Sequence, residues 1–202
     1  SQAGMREANL SHVSAVRTLL HRAELFGANL QQAKLVQADL SGSLLAKADL
    51  SGADLSDASV EQARGAEVVM EGARVDRLHA GRGVGFTGGN RCSIQGEAST
   101  WEEAKLEGAN FSQAKLPRAN FNSAELQKVN LEYADLRRAR FVEASLENAN
   151  LTKVNLYGGS FEGAHLNGTD LRGSNLYEVE FWEAEHEEAL FDTANRKGTK
   201  LA

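Results

Sequence analysis

The chain has 202 residues, a length typical of a single domain, and its 28 Asp and Glu against 22 Lys and Arg give a net charge of −6. Acidic and basic residues are mixed along the chain, so there is no basic stripe of the kind that binds nucleic acid directly. A single cysteine excludes a disulfide framework and favours a reducing compartment, and no apolar run reaches the length of a membrane span or a signal peptide.

A five-residue repeat dominates the sequence. In residues 144–156, ASLENANLTKVNL, a small residue, a polar residue and a central Leu are followed by two variable positions. A helix would rotate the Leu by about 140° at every repeat and form no apolar stripe, and a straight strand would send successive Leu side chains to opposite faces. The repeat therefore predicts short extended segments joined by corners and wound into a solenoid, whose coils pair through their backbones.

The first frame covers residues 1–80, where the central apolar residues fall on multiples of five. They are Leu10, Leu20, Leu25, Leu30, Leu35, Leu40, Leu45, Leu50, Leu55, Val60, Met70 and Val75. Residues 13–20, VSAVRTLL, can also be interpreted as a helix, but they continue the frame of their neighbours, so we expect a coil. The Asn or Asp before each central residue is expected to stay outside and to bond the backbone of the corner.

Residues 81–103 form an irregular, glycine-rich segment in which the frame slips by one residue. Here Arg91 and Gly96 stand at positions where the repeat calls for Leu or Phe. The extra residue falls near residues 81–83, and either a bulge in a distorted but continuous coil or a loop that leaves the solenoid accommodates it. Residues 83–88, GVGFTG, match the GxGxxG spacing, but no helix is expected to follow them, so a dinucleotide site is not expected.

The second frame covers residues 104–202, and its central residues fall one position later than those of the first. From Trp101 they run through Leu106, Phe111, Leu116, Phe121, Leu126, Leu131, Leu136 and Phe141 to Phe191 and Leu201. We expect a single solenoid over residues 1–202, with central residues such as Leu131 in the core and following residues such as Glu132 outside.

The repeat resembles that of the pentapeptide-repeat proteins, whose pattern is a small residue, Asn or Asp, Leu or Phe, and two variable residues. The segments that carry the resemblance are ANLQQAKLVQADL, ADLSGADLSD and ANFSQAKLPRANFNSAEL. The resemblance implies an all-β solenoid, a right-handed quadrilateral β-helix with four repeats per coil. Over this length it implies about ten coils and a rod of roughly 45 to 50 Å.

The ionisable side chains form no recognisable catalytic, cofactor or metal site. The five histidines are scattered, without the short spacing of metal ligands. Arg91 beside Cys92 is an arrangement that can lower the pKa of a thiol, but no histidine is near in sequence to complete a nucleophile pair. His186 occupies a central position in FWEAEHEEALF, and we expect an exposed imidazole on a degenerate last coil. We therefore predict no enzyme activity, no cofactor and no bound metal.

An acidic run near residues 177–192 contains seven Asp and Glu and no Lys or Arg, and it is accompanied by Tyr177 and Trp182. A solvated face is one interpretation. The other is a protein-binding surface, because aromatic side chains among charges of one sign favour steered protein contacts. The candidate partner-binding residues are Tyr177, Trp182, Glu183, Glu185, Glu187 and Glu188.

The function expected from these observations is a non-enzymatic scaffold for a protein partner of unknown identity. The tail GTDLRGSNLYEVEFWEAEHEEALFDTANRKGTKLA resembles the repeat extensions of type VI secretion-associated proteins, which implies the C-terminal repeat domain of an adaptor-like secretion accessory. The alternative is a DNA mimic that binds DNA gyrase, as some pentapeptide-repeat proteins do. A mimic needs a strongly negative face, which residues 137–140, RRAR, interrupt.

The chain begins with SQAG rather than Met, which favours a domain excised from a longer protein. The resemblances place it in a bacterial cytoplasm, in association with a secretion apparatus. End-to-end self-association, or contact with a neighbouring domain, is also compatible with repeats that begin and end without an evident cap.

Overall fold

The computed structural model of the protein describes residues 4–199. In this part of the chain there is no helix, and so none long and apolar enough to cross a membrane. Single residues instead pair in parallel bridges with partners 20 positions away, beginning with Gly4 and Glu24. Twenty residues are four repeats of five, so each coil has four sides. Ser14 bridges Lys34, and residues 13–20 are therefore a coil, as predicted, and not a helix.

The four sides of the rod are named here after the residues that bridge at their centres. Face A contains Gly4, Glu24, Leu44, Arg64, Gly85, Lys105, Glu125, Ser145, His165 and Glu185. Face B runs from Asn9 to Leu190, face C from Ser14 to Asn195, and face D from Leu19 to Glu180. The chain visits the faces in the order A, B, C, D, and Leu201 of the predicted second frame lies outside the described residues.

The core is a narrow column filled by the central residue of each repeat and by the small residue two positions before it. Leu131 and Val129, for example, are fully buried, whereas the intervening Asn130 and the following Glu132 reach solvent. The predicted inward and outward positions are therefore confirmed. The first coil, around Leu10 and Leu20, and the last one around His186 are more exposed because each has a neighbour on one side only.

Most corners are β-turns closed by a hydrogen bond from the N–H of the next small residue to the carbonyl of the central one. Ala33 N–H donates to the carbonyl oxygen of Leu30 at 3.1 Å, and Gln32 between them has a φ of 54°. A positive φ at the third turn residue is the feature of a type II turn. The Asn29 side chain also accepts from the N–H of Gln31 at 3.0 Å. The predicted bond from the polar position to the corner backbone is thus present.

The frame slip is absorbed in one corner between faces D and A. Arg64 bridges Gly85, 21 positions away, whereas partners are again 20 apart from Gly85 onward. The corner at residues 81–83 has three residues instead of two, with Arg82 and Gly83 both at positive φ. The coil continues through this corner without a loop that leaves the rod. The GxGxxG-like residues 83–88 therefore pass through a corner and along face A, and no helix follows within residues 4–199.

Arg91 enters the core. Its side chain is fully buried between the rings of Phe86 and Phe111, whose centroids lie 5.3 and 5.6 Å from the guanidinium carbon. None of its three nitrogens has a hydrogen-bond partner, and burial lowers the pKa of Arg91 to about 9. Gly89 makes room for it, because a Cβ there would lie 2.7 Å from one guanidinium nitrogen. The Cys92 thiol contacts the hydroxyls of Ser93 and Ser112.

The core under face D in the second half of the rod is a stack of aromatic rings. Successive centroids lie 5.0 to 6.2 Å apart, and the nearly parallel pair at 5.0 Å marks the middle of the stack. The rings belong to Trp101, Phe121, Phe141, Phe161 and Phe181. They are 20 residues apart, so each coil contributes one ring and the stack joins neighbouring coils.

Candidate protein-binding surface

Trp182 lies at a corner between faces D and A, next to the buried Phe181. Phe181 ends the aromatic stack, with its ring 5.3 Å from that of Phe161, whereas the Trp182 side chain is 57% exposed. The alternation follows from the repeat, since a central residue points inward and the first corner residue points outward. Trp182 therefore presents a large apolar ring to solvent at a position that contributes no ring to the core.

Four of the predicted glutamates follow Trp182 around the last coil. Glu183 shares its corner, Glu185 lies at the centre of face A, and Glu187 and Glu188 form the next corner. Glu185 contacts His165 of the preceding coil at 2.8 Å between its Oε2 and the imidazole Nδ1. All four side chains are exposed. We call Trp182, Glu183, Glu185, Glu187 and Glu188 the C-terminal patch.

Tyr177, the remaining predicted residue, is separate from the C-terminal patch. It lies at the corner between faces C and D, one face away from Trp182. Its ring stacks on that of Tyr157 in the preceding coil, with the centroids 5.7 Å apart and the planes 21° from parallel. The structure therefore spreads the six candidates over three successive corners and the centre of face A, and Tyr177 is half-buried in a contact of its own. Whether any of them binds a partner stays a prediction.

His186 is exposed at the end of the core, as predicted for a degenerate last coil. Its imidazole meets the rings of Phe181 and Phe191 edge to face, at 6.5 and 5.9 Å. Beside it is an open depression of about 480 Å³ that Glu185 and Glu187 also line. Within residues 4–199, no group of three or more His, Cys, Asp or Glu side chains is arranged to hold a metal ion.

Some charges on faces B and C are paired with opposite charges. Arg172 and Asp170 on face B are joined at 2.6 Å, and the hydrogen bonds from Arg172 hold the pKa of Asp170 below its usual range. Arg137 and Asp135 on face C are joined at 2.7 Å. These exposed pairs contribute little stability, but they leave neither face uniformly negative.

Face A also carries a shallow apolar trough that the sequence-based reasoning missed. The trough has a volume of about 350 Å³ and extends along the first half of the rod. Small residues form its floor, among them Ala46, Gly65, Ala66 and Gly85. Three cations line its margin, and these are Arg6, Arg64 and Lys105. The trough could have been found from the column of residues spaced 20 or 21 positions apart. Identifying that column requires knowing the number of repeats per coil and the position of the frame slip.

Comparison with known proteins gives family matches along most of the chain. A model of pentapeptide repeats in eight copies matches residues 3–42, 23–62, 43–77 and 160–185, and a model of the pentapeptide repeat region matches residues 95–171. No curated protein matches the chain.

Solved structures of repeat proteins share the fold. HetL, a pentapeptide repeat protein involved in heterocyst differentiation regulation from the cyanobacterium Nostoc sp. strain PCC 7120, is similar with 25% identity and a TM-score of 0.68. The match covers 99% of this chain and 87% of that one. QnrB1, a plasmid-mediated fluoroquinolone resistance protein, is similar with 14% identity and a TM-score of 0.67, over 90% of this chain and 92% of that one. The chain therefore belongs to the pentapeptide-repeat family, and its fold is the right-handed quadrilateral β-helix that the resemblance implies.

Proposed function

We propose that the protein is a non-enzymatic scaffold that binds a protein partner through the C-terminal patch. The observation that carries the proposal is the 57% exposure of Trp182 beside the buried Phe181. Trp is the residue type most enriched among the few side chains that dominate binding energy at protein interfaces. A regular core does not need this ring, so its exposure is consistent with a contact made outside the fold.

The chemistry of the C-terminal patch favours a partner with a basic surface. Four exposed glutamates follow Trp182 around the last coil, and within the described residues none of them is paired with Lys or Arg. Such a cluster attracts a positive surface over a distance of about one Debye length, roughly 8 to 10 Å at ordinary salt. We expect the charges to accelerate association and the indole ring to slow dissociation.

The proposal is tested by photo-crosslinking followed by affinity measurement. A benzophenone amino acid placed at position 182 should capture the partner in the source cells, whereas the same group at position 133 should not. Tyr133 is a matched control, because it is 53% exposed and lies at a corner between faces B and C. With the captured partner in hand, Trp182→Ala should weaken binding by about 2 kcal/mol or more and leave the melting temperature nearly unchanged.

Two results would contradict the proposal. A Trp182→Ala variant that melts at a lower temperature but binds with unaltered affinity would show that the indole ring caps the last coil. Equal losses of affinity for Trp182→Ala and Tyr133→Ala would show that the surface has no specific anchor.

The finer proposal is that this scaffold is part of a bacterial secretion apparatus, as the adaptor-like domain that its tail resembles. Its support is the resemblance of residues 168–202. Identification of the captured partner as a type VI secretion component would bear it out. In a DNA gyrase supercoiling assay, we expect the purified protein to have no effect; inhibition, or protection from quinolones, would select the DNA mimic instead.

A further inference from the structure

Face A is divided into two halves of different character. In the first half, the trough and its cations Arg6 and Arg64 present a flat, small-residue surface with positive charge. Within residues 4–199 neither cation has an ion-pair partner, although the guanidinium of Arg6 lies over the Phe26 ring at 5.1 Å. The second half carries the carboxylates of Glu125, Glu147, Glu185 and Glu187. Within the same copy, Glu125 pairs with Lys105 at 3.2 Å and Glu185 contacts His165 at 2.8 Å.

We propose that face A is the interface of a homodimer in which two rods lie side by side and antiparallel. A two-fold axis that crosses face A at its middle places the first half of each rod against the second half of the other. Each trough then receives the glutamates of the partner copy, and the same contact forms twice. Such an interface is closed, so it produces a dimer and not a filament.

The charges specify both the direction and the register of this packing. Face A has ten bridge positions in the described chain, so the axis passes between the fifth and the sixth, Gly85 and Lys105. Along the centre of the face, Arg64 of one copy is then opposite Glu125 of the other, and Glu24 is opposite His165. At the neighbouring corner, Arg6 is opposite Glu187.

Other arrangements of the two faces place like charges together. Parallel packing in register would place every charge opposite its own copy, such as Arg64 against Arg64. An antiparallel arrangement shifted by one coil would bring Arg64 opposite Lys105. The antiparallel register without a shift avoids both along the centre of face A, and like charges directly opposite one another are unfavourable.

The size of the face predicts a weak dimer. Nine intervals of about 4.8 Å and three residues of about 3.3 Å give an area of roughly 430 Å² on each copy. The total of roughly 860 Å² is below the standard size of a stable interface and within the range of weak or transient contacts. We therefore expect a monomer–dimer equilibrium with a dissociation constant of tens of micromolar, and a strong dependence on salt.

Sedimentation velocity of the full chain tests the proposal. At about 30 mM salt the protein should shift from monomer to dimer as its concentration rises, and at about 500 mM salt it should be monomeric. Arg64→Glu should weaken dimerisation about tenfold or more, since the substitution places two carboxylates together at each of two contacts. Arg64→Glu combined with Glu125→Arg should restore it to within about threefold of the wild type. Arg138→Glu is the matched control, because Arg138 is exposed at the corner between faces C and D.

Several outcomes would overturn the proposal. These are a monomer at every concentration in low salt, a dimer that Arg64→Glu leaves intact, and a double variant that is as weak as the single one. End-to-end packing would give a series of growing species instead of one dimer, and it would not respond to Arg64. Trp182→Ala should leave self-association within about twofold of the wild type, so failure of the dimer and failure of the proposed partner site are measured separately.

Discussion

The core beneath residues 86–96 and the core beneath residues 101–181 are built from the same repeat but packed in different ways. The second is a stack of aromatic rings that touch from coil to coil, with no charged group among them. The first contains a buried cation, Arg91, together with glycines at two positions that normally carry a side chain, Gly89 and Gly96. The backbone bridges continue through both regions. In a solenoid each coil contacts only its neighbours, so well-packed coils on either side can stabilise a coil whose core is poorly packed.

The largest effect is expected where the regular core is broken by a charge. Leu131→Asp removes an apolar side chain whose burial contributes roughly 1.5 to 3 kcal/mol, and it adds the larger cost of an unpaired buried carboxylate. We expect unfolding or aggregation, detected by loss of the far-UV circular dichroism transition. The neighbouring Glu132→Lys should melt like the wild type, because Glu132 is outside the core. Similar melting temperatures for the two variants would disprove the inward and outward assignment.

A smaller but still severe effect is expected when residues are inserted within a face. Two residues inserted between Asn155 and Leu156 interrupt the backbone pairing of face C, where Asn155 bridges Asp135 and Asn175. The same insertion after Gly83 lengthens a corner that already holds an extra residue, and lengthening an exposed loop costs little. We expect the first variant to lose several kcal/mol in urea unfolding and the second about 1 kcal/mol or less. Equal losses would show that the corner at residues 81–83 is as constrained as a face.

Replacing the buried cation should bring the two cores closer together in stability. Arg91→Met keeps an unbranched side chain between Phe86 and Phe111 and removes the desolvated charge. Replacing buried charges by apolar groups of similar volume commonly stabilises by about 1 to 4 kcal/mol, and a lost cation–π contact would offset roughly 2 kcal/mol at most. We expect a net gain in urea unfolding. Arg138→Met, an exposed control, should remain within about 0.5 kcal/mol of the wild type. A destabilised Arg91→Met would indicate that the cation stabilises this core.

The smallest expected effect is that the stability gained by Arg91→Met depends on pH. Burial lowers the pKa of Arg91 to about 9, so above pH 9 the unfolded chain binds more protons than the folded one. The contribution of Arg91 to the free energy of unfolding therefore rises with pH in this window, and its penalty is fully present below pH 9. The stability difference between Arg91→Met and the wild type should narrow between about pH 8 and 10.5. Because both proteins share their Lys and Tyr residues, subtraction removes those titrations. A constant difference would show that Arg91 stays charged.

Much of the fold could be predicted from the sequence because the period of five restricts each residue to one role. The burial of Leu131 and the bonds from Asn29 to its corner follow from position within the repeat alone. The one-residue slip of the frame likewise predicts the extra residue at 81–83, where the spacing between bridge partners changes from 20 to 21 residues.

The features that the sequence did not reveal depend on contacts between residues of neighbouring coils. The aromatic stack and the trough on face A combine residues 20 positions apart, and a five-residue frame does not identify such partners. The separation of Tyr177 from Trp182 has the same origin, because five residues along the chain are one face around the rod. The central position of Arg91 predicts that its side chain points into the core. It does not predict that the guanidinium lacks hydrogen-bond partners, since a buried charge is ordinarily expected to have one.

The hydrogen bonds between coils all run along the rod, and this direction determines how the protein responds to force. Asn110, Asn130 and Asn150 repeat the pattern in their side chains, each donating to the asparagine of the preceding coil at 3.0 to 3.3 Å. A pull on the two ends of the chain would therefore load the bonds of one terminal coil at a time and peel the coils off in sequence. Compression along the axis would instead be shared by every coil. The rod should be mechanically weak as a tether and strong as a spacer.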